Sequence, residues 1–121
     1  MYEYALILLI LLQIKHWYID FVNQSKEEVE HKGIYWDWLG MKHSVKHGVA
    51  TTLCLLCITG WEYLLFCSIL GFVDFVLHYN IDWAKMNWGN RDIQTPAFWA
   101  HLGLDQMLHQ IVYIGIAWAM M

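Results

Sequence analysis

The sequence has 121 residues, enough for one domain. It is 59% hydrophobic and only 15% charged, against roughly 25% charged in a soluble domain, and its mean hydropathy is positive. With a net charge of −4, no basic block and no Gly-rich phosphate loop, nothing points to nucleic acid, and the composition points to an integral membrane protein.

The first apolar segment covers residues 4–24, about the length that spans a bilayer core. It lacks a basic leader region and a small-residue cleavage site, so it is expected to stay as a membrane helix. Its last turns carry His16, Asp20 and Gln24 at a spacing of four. The polar stretch after it holds Glu27, Glu28 and Glu30 with Lys26 and Lys32, and reads as a solvated connection with His31 exposed in it. Tyr35, Trp36 and Trp38 look like an interfacial aromatic belt.

The second segment, residues 41–59, opens with His43 and His47, with Lys46 beside them. Gly60 is a turn signal. The third, residues 61–85, has Glu62 in its first turn, where a helix N-terminus favours a carboxylate. Asp74, His78 and Asp82 follow at a spacing of four, then Lys85. Residues 87–94 read as a loop. Thr95 as N-cap and Pro96 at the first helical position start the fourth segment, residues 96–121. It carries His101, Asp105 and His109 on one helical face, with Gln106 adjacent. Cys54 and Cys57 form a C-x-x-C, but there is no second pair for a zinc knuckle, so they read as small apolar packing groups.

Four consecutive spans must alternate in direction. The polar rows lie late, early, late and early along them, so all four meet at one end. The expectation is an all-α, single-domain (1–121), four-helix transmembrane up-down bundle with a polar metal-ligand cluster at one end. All seven Lys and Arg lie at that end or in its loops, whereas the other end has Glu3 and Glu62. The positive-inside rule then puts the cluster toward the cytoplasm and both termini outward.

Inward-facing His and carboxylate pairs, one per helix, are how bundles build metal sites, often for two ions. The candidate ligands are His16, Asp20, His43, His47, His78, Asp82, Asp105 and His109. The mixed donors suit a divalent metal, zinc foremost, with iron or manganese as alternatives, as one ion or two. Lys46 and Lys85 would bind an anionic substrate group, Gln24 and Gln106 would orient ligands, and Asp74 and His101 extend two rows. The expected function is membrane-embedded metal binding, with metal-dependent hydrolysis of a lipid-borne or membrane-proximal substrate. A non-catalytic accessory or interaction protein with a structural metal or hydrogen-bonded core is one alternative. Metal or proton transport is another, opposed by outer halves that are apolar apart from Gln13, Thr51 and Thr52. Expected partners are the lipid bilayer and either a second copy or another membrane protein.

In order, H-x-x-x-D-F-x-x-Q from His16, H-x-x-x-H from His43, H-x-x-x-D-x-x-K from His78 and D-Q-x-x-H from Asp105 resemble a family of small bacterial and phage integral membrane proteins, known as a domain of unknown function. The resemblance covers nearly the whole chain. It implies a compact multi-helix protein of the bacterial inner membrane with a His- and Asp-rich centre, and it brings no activity. The His43 and His47 box is also similar to those of membrane desaturases and hydroxylases. This chain lacks their adjacent double histidines and is much richer in Asp.

Overall fold

Helix α1 spans Tyr2–Trp17 in the computed structural model, which describes residues 2–121. It runs directly into a single π turn, Tyr18–Val22, where a uniform helix to residue 24 was expected. A π turn fits one more residue into each turn than the α-helix it extends, and such turns gather at functional sites. Here the widened turn contains Asp20, which is buried in the bundle.

The stretch expected as a solvated connection is a folded strap. Helix α2, Lys26–His31, starts at a reciprocal cap: the Glu28 N–H donates to Ser25 Oγ at 3.1 Å, and the Ser25 N–H donates to Glu28 Oε2 at 3.0 Å. Glu28 and Lys32 are buried rather than solvated. His31 is half-buried and pairs with Asp37 at 2.9 Å, so it is not a free surface group. Composition alone reads Glu and Lys runs as solvated, and partners 14 to 50 residues away are invisible to it.

Helix α3, Trp38–Thr59, begins earlier than residue 41 because Asp37 accepts from the N–H groups of Leu39 and Gly40. It stops at Gly60, whose φ of 89° lies in the left-handed region that glycine tolerates. A short 3₁₀ turn, Trp61–Tyr63, leads into α4, Leu64–Trp88. Helix α5, Pro96–Ala119, has the expected Thr95 cap, which accepts from the Phe98 N–H at 3.3 Å.

The four long helices pack as a ring: α1 against α3 and α5, and α4 against α3 and α5. The closest approach is α3 on α4. A Cβ added at Gly71 would lie 2.6 Å from the Gly48 carbonyl oxygen, so the backbones meet without side chains between them. The interior is divided along its length. At the end reached by the α3–α4 turn it is apolar, built from Leu8, Leu12, Leu55, Cys67, Ile116 and Ala117. At the other end it is polar, with His16, Asp20, His43, His47, His78, Asp82, Asp105 and His109 all buried. The fold is all-α. Two stretches, Glu3–Val22 and Trp61–Trp88, are both long and apolar enough to cross a membrane. Helices α3 and α5, of 22 and 24 residues, have the length but carry ionisable rows, His43 and His47 in the first half of α3 and His101, Asp105 and His109 from the start of α5 to past its middle.

Candidate metal centre

Two groups of buried donors, which share His78, line the polar half, and each could hold a metal ion. In the first, Asp20 from the π turn meets His43 and His47 from α3. Asp20 Oδ1 lies 2.8 Å from His43 Nε2 and 2.9 Å from His47 Nε2. Those are N–H···O⁻ hydrogen-bond lengths. Two donors on one tetrahedral ion with bonds near 2.05 Å sit about 3.3 Å apart, a wider spacing. On the far side of the His47 ring, Nδ1 takes the Lys15 ammonium at 3.1 Å, which leaves the ring proton on Nε2 for Asp20.

The second group lies between α4 and α5: His78, Asp82 and His109, with Asp105 beside them. His78 Nε2 is 3.4 Å from Asp82 Oδ2. His109 Nε2 is 3.4 Å from Asp82 Oδ1 and 3.4 Å from Asp105 Oδ1. Among the described residues, Asp82 Oδ1, Asp105 Oδ1 and His109 Nε2 are buried without a hydrogen-bond partner, and Asp82 Oδ2 faces the Lys32 ammonium at 2.9 Å. Buried polar atoms in that state are costly. Their separations match the edge of a coordination tetrahedron, so the residues present fit a divalent ion. His43 Nδ1 and His78 Nδ1 are bare as well, so those two rings are anchored only through Nε2.

The surroundings hold these donors in place. Asp105 Oδ2 accepts from Lys85 at 2.8 Å and from Gln106 Nε2 at 3.1 Å, which turns its bare Oδ1 toward His109. Gln106 Oε1 accepts from His16 Nε2 at 2.9 Å, and His16 Nδ1 pairs with the Tyr113 hydroxyl at 2.8 Å. His16 is therefore satisfied at both nitrogens. Lys32 reaches in from the strap after α2, its ammonium 2.9 Å from Asp82 Oδ2. One turn deeper, Asp74 accepts from Lys15 at 2.7 Å and from Thr51 at 2.6 Å.

Of the expected site residues, the structure brings together His16, Asp20, His43, His47, His78, Asp82, Asp105, His109, Lys85 and Gln106. Asp74 lies below the centre as the partner of Lys15. Gln24 turns back to the Asp20 carbonyl in its own turn. Lys46 is drawn to Glu28 and Asn23 on the outside of α3, away from the centre. His101 accepts the Asn90 N–H at 2.7 Å and ties down the α4–α5 loop instead of adding a donor. Lys15, Lys32, Thr51 and Tyr113 were not anticipated. Tyr113 carries a signal in hindsight, four residues beyond His109 on the same face. Lys15 sits next to His16 in an otherwise apolar run, where a charge needs a buried partner.

Outside the spans, Glu28 is the buried carboxylate of the strap. Burial pushes its pKa up, but hydrogen bonds from Lys46 and from the Ser25 N–H outweigh burial and hold it below the usual value of 4.5.

A ring of four helices enclosing one His- and Asp-lined centre defines a class of small helical protein with a potential ion site. Residues 7–121 match a family described as "Protein of unknown function (DUF3307)", and the chain belongs to that family. Neither a curated protein nor a solved structure matches it.

Proposed function

We propose that this is an integral membrane protein whose buried centre binds one divalent cation through His78, Asp82, Asp105 and His109. The observation that carries the reading is the bare trio of Asp82 Oδ1, Asp105 Oδ1 and His109 Nε2, with His109 Nε2 3.4 Å from each carboxylate oxygen. Asp20 takes the Nε2 protons of His43 and His47, so those two nitrogens are already satisfied and serve as support. His78 belongs to both groups of donors, which favours one ion over two. Two imidazoles and two carboxylates suit zinc, and the same donors accept iron or manganese.

A hydrolase is the second reading, favoured by a groove of about 470 Å³ between α4 and α5. Its walls include Leu77, Ile81, Leu104 and Leu108, and Lys85 and Asp105 line its polar part. A lipid-borne ester could enter sideways, with Lys85 on its anionic group. A bound divalent ion would polarise the scissile oxygen and supply hydroxide at neutral pH. Transport is disfavoured: below Asp74 and Thr51, the described residues put no buried polar side chain in the core except the Tyr113 hydroxyl, which is spent on His16. A purely hydrogen-bonded accessory core is disfavoured by the bare atoms.

The membrane reading rests on the two long apolar helices and on the apolar outer faces of all four. Every Lys and Arg lies at the centre's end or in its loops, which favours a cytoplasmic position for the centre. The test is elemental mass spectrometry of protein purified in detergent without chelators. About one equivalent of zinc, iron or manganese is expected, lost in Asp82→Asn and His109→Gln. Protein free of transition metal, or variants that keep the full equivalent, would sink the proposal.

A further inference from the structure

A second groove lies on the opposite side of the bundle from the α4–α5 groove. It runs between the end of α1 and the first half of α3 and encloses about 510 Å³. We propose that it binds one anionic phospholipid, with the phosphate at the lysines of α3 and an acyl chain along the groove.

The head of the groove is basic. Lys46 lies 2.9 Å from Glu28 and Lys42 lies 3.8 Å from the same carboxylate oxygen. Two ammonium groups share one carboxylate, so the head keeps a net charge of +1. The Lys42 side chain is 52% exposed, free to turn toward a ligand. Lys15 also lines the groove but is committed to Asp74, and it adds nothing to the head. The walls beyond the head are apolar. Val49 and Leu53 follow Lys46 by one and two turns, 55% and 52% exposed, with Tyr18 opposite. From Lys46 to Leu53 the wall runs about 10 Å along the helix. Trp38, 64% exposed at the mouth, has the amphipathic ring that settles at headgroup level.

A basic head between two membrane helices with an apolar wall below it matches a phosphodiester headgroup carrying acyl chains. A zwitterionic lipid would bring its own cation against Lys42 and Lys46. Free phosphate would leave the Val49 and Leu53 wall unused.

The proposal rests on the membrane reading, so the experiment separates the two. Membranes are first washed with alkaline carbonate. A chain that stays in the pellet keeps the membrane reading, and a chain released into solution overturns both. The detergent-purified full chain is then titrated with dioleoyl phosphatidylglycerol, dioleoyl phosphatidylcholine and inorganic phosphate, and adducts are counted by native mass spectrometry. Phosphatidylglycerol is expected to bind at about five- to tenfold lower concentration than phosphatidylcholine. A Lys42→Gln, Lys46→Gln variant should lose that preference. Val49→Trp, which fills the wall and leaves the head and Glu28 pair intact, should lose the adduct. Equal binding of the two lipids, full phosphatidylglycerol binding by either variant, or displacement by equimolar inorganic phosphate would each overturn it.

Discussion

Asp105 divides its two oxygens between different tasks. Oδ2 is saturated by Lys85 and Gln106, and Oδ1 is bare and faces His109. Partners of this kind fix a ligand's orientation, and losing one typically costs 10- to 100-fold in metal affinity. Gln106→Leu removes the hydrogen bonds to both Asp105 and His16 at once. Its metal affinity, read by competition with a chelating dye, is expected to fall by about that factor while the helical circular dichroism stays unchanged. Wild-type affinity in this variant would remove Gln106 from the support of the site. Glu28 supports a different structure, the strap. Its folded pKa is lowered, so its contribution is full above the unfolded carboxyl range and is lost as pH falls through the folded value. Amide exchange in Lys26–His31 is therefore expected to be slow near neutrality and to lose protection only as pH falls below the usual carboxyl value of 4.5. In Glu28→Gln the same amides should exchange fast at neutral pH and lose this pH dependence.

At the scale of elements, the crossing of α3 on α4 sets the register that lets His43 approach both Asp20 and His78. A methyl group at Gly71 would collide with the Gly48 carbonyl and with Thr52, so Gly71→Ala must push the helices apart. The expected cost is about 1–3 kcal/mol, measured as a lower denaturation midpoint in detergent. Gly115, in the open on α5, meets nothing within 4 Å. Gly115→Ala is expected to be neutral or to stabilise by up to about 1 kcal/mol through helix propensity. Equal effects of the two variants would show that backbone contact does not set the crossing. The elements were largely legible because their signals are local: Thr95 and Pro96 start α5, and Gly60 stops α3. The spacing-four rows were legible for the same reason, since a helix stacks i and i+4. The π turn was not, because nothing in "WYIDFV" distinguishes it from an α turn. Lys32 was not, because its partner Asp82 is 50 residues away and its neighbours are the exposed Lys26 and Glu30. His101 keeps the row's spacing yet lies too near the start of α5, where Asn90 of the loop claims it.

The whole molecule inverts the polarity of a soluble protein. Its outer faces carry exposed large apolar side chains on every long helix, among them Ile10, Leu53, Phe72 and Ile114, while Lys15, Asp20, Asp74, Asp82 and Asp105 are buried. Charges enclosed this way are tolerable when paired, and apolar faces of this extent need a cover. Lipid supplies that cover if the bundle spans a bilayer, and the middle of α4 is the place to ask. Phe72, 62% exposed, lies eight residues from Leu64 and sixteen from Trp88, roughly 12 and 24 Å along the axis. A Phe72→Cys variant whose three native cysteines are replaced by Ala would report its surroundings through a charged, water-soluble maleimide. Lys26→Cys in the same background is the reference, since the Lys26 side chain is 89% exposed at the strap. In opened membrane vesicles Lys26→Cys is expected to label within minutes and Phe72→Cys to stay unlabelled until the bilayer is dissolved and the chain unfolded. Labelling of both at the same rate in intact bilayers would place α4 in water. The apolar faces would then have to be covered by protein, and the lateral entry of a lipid between α4 and α5 would lose its basis while the metal centre would keep its own.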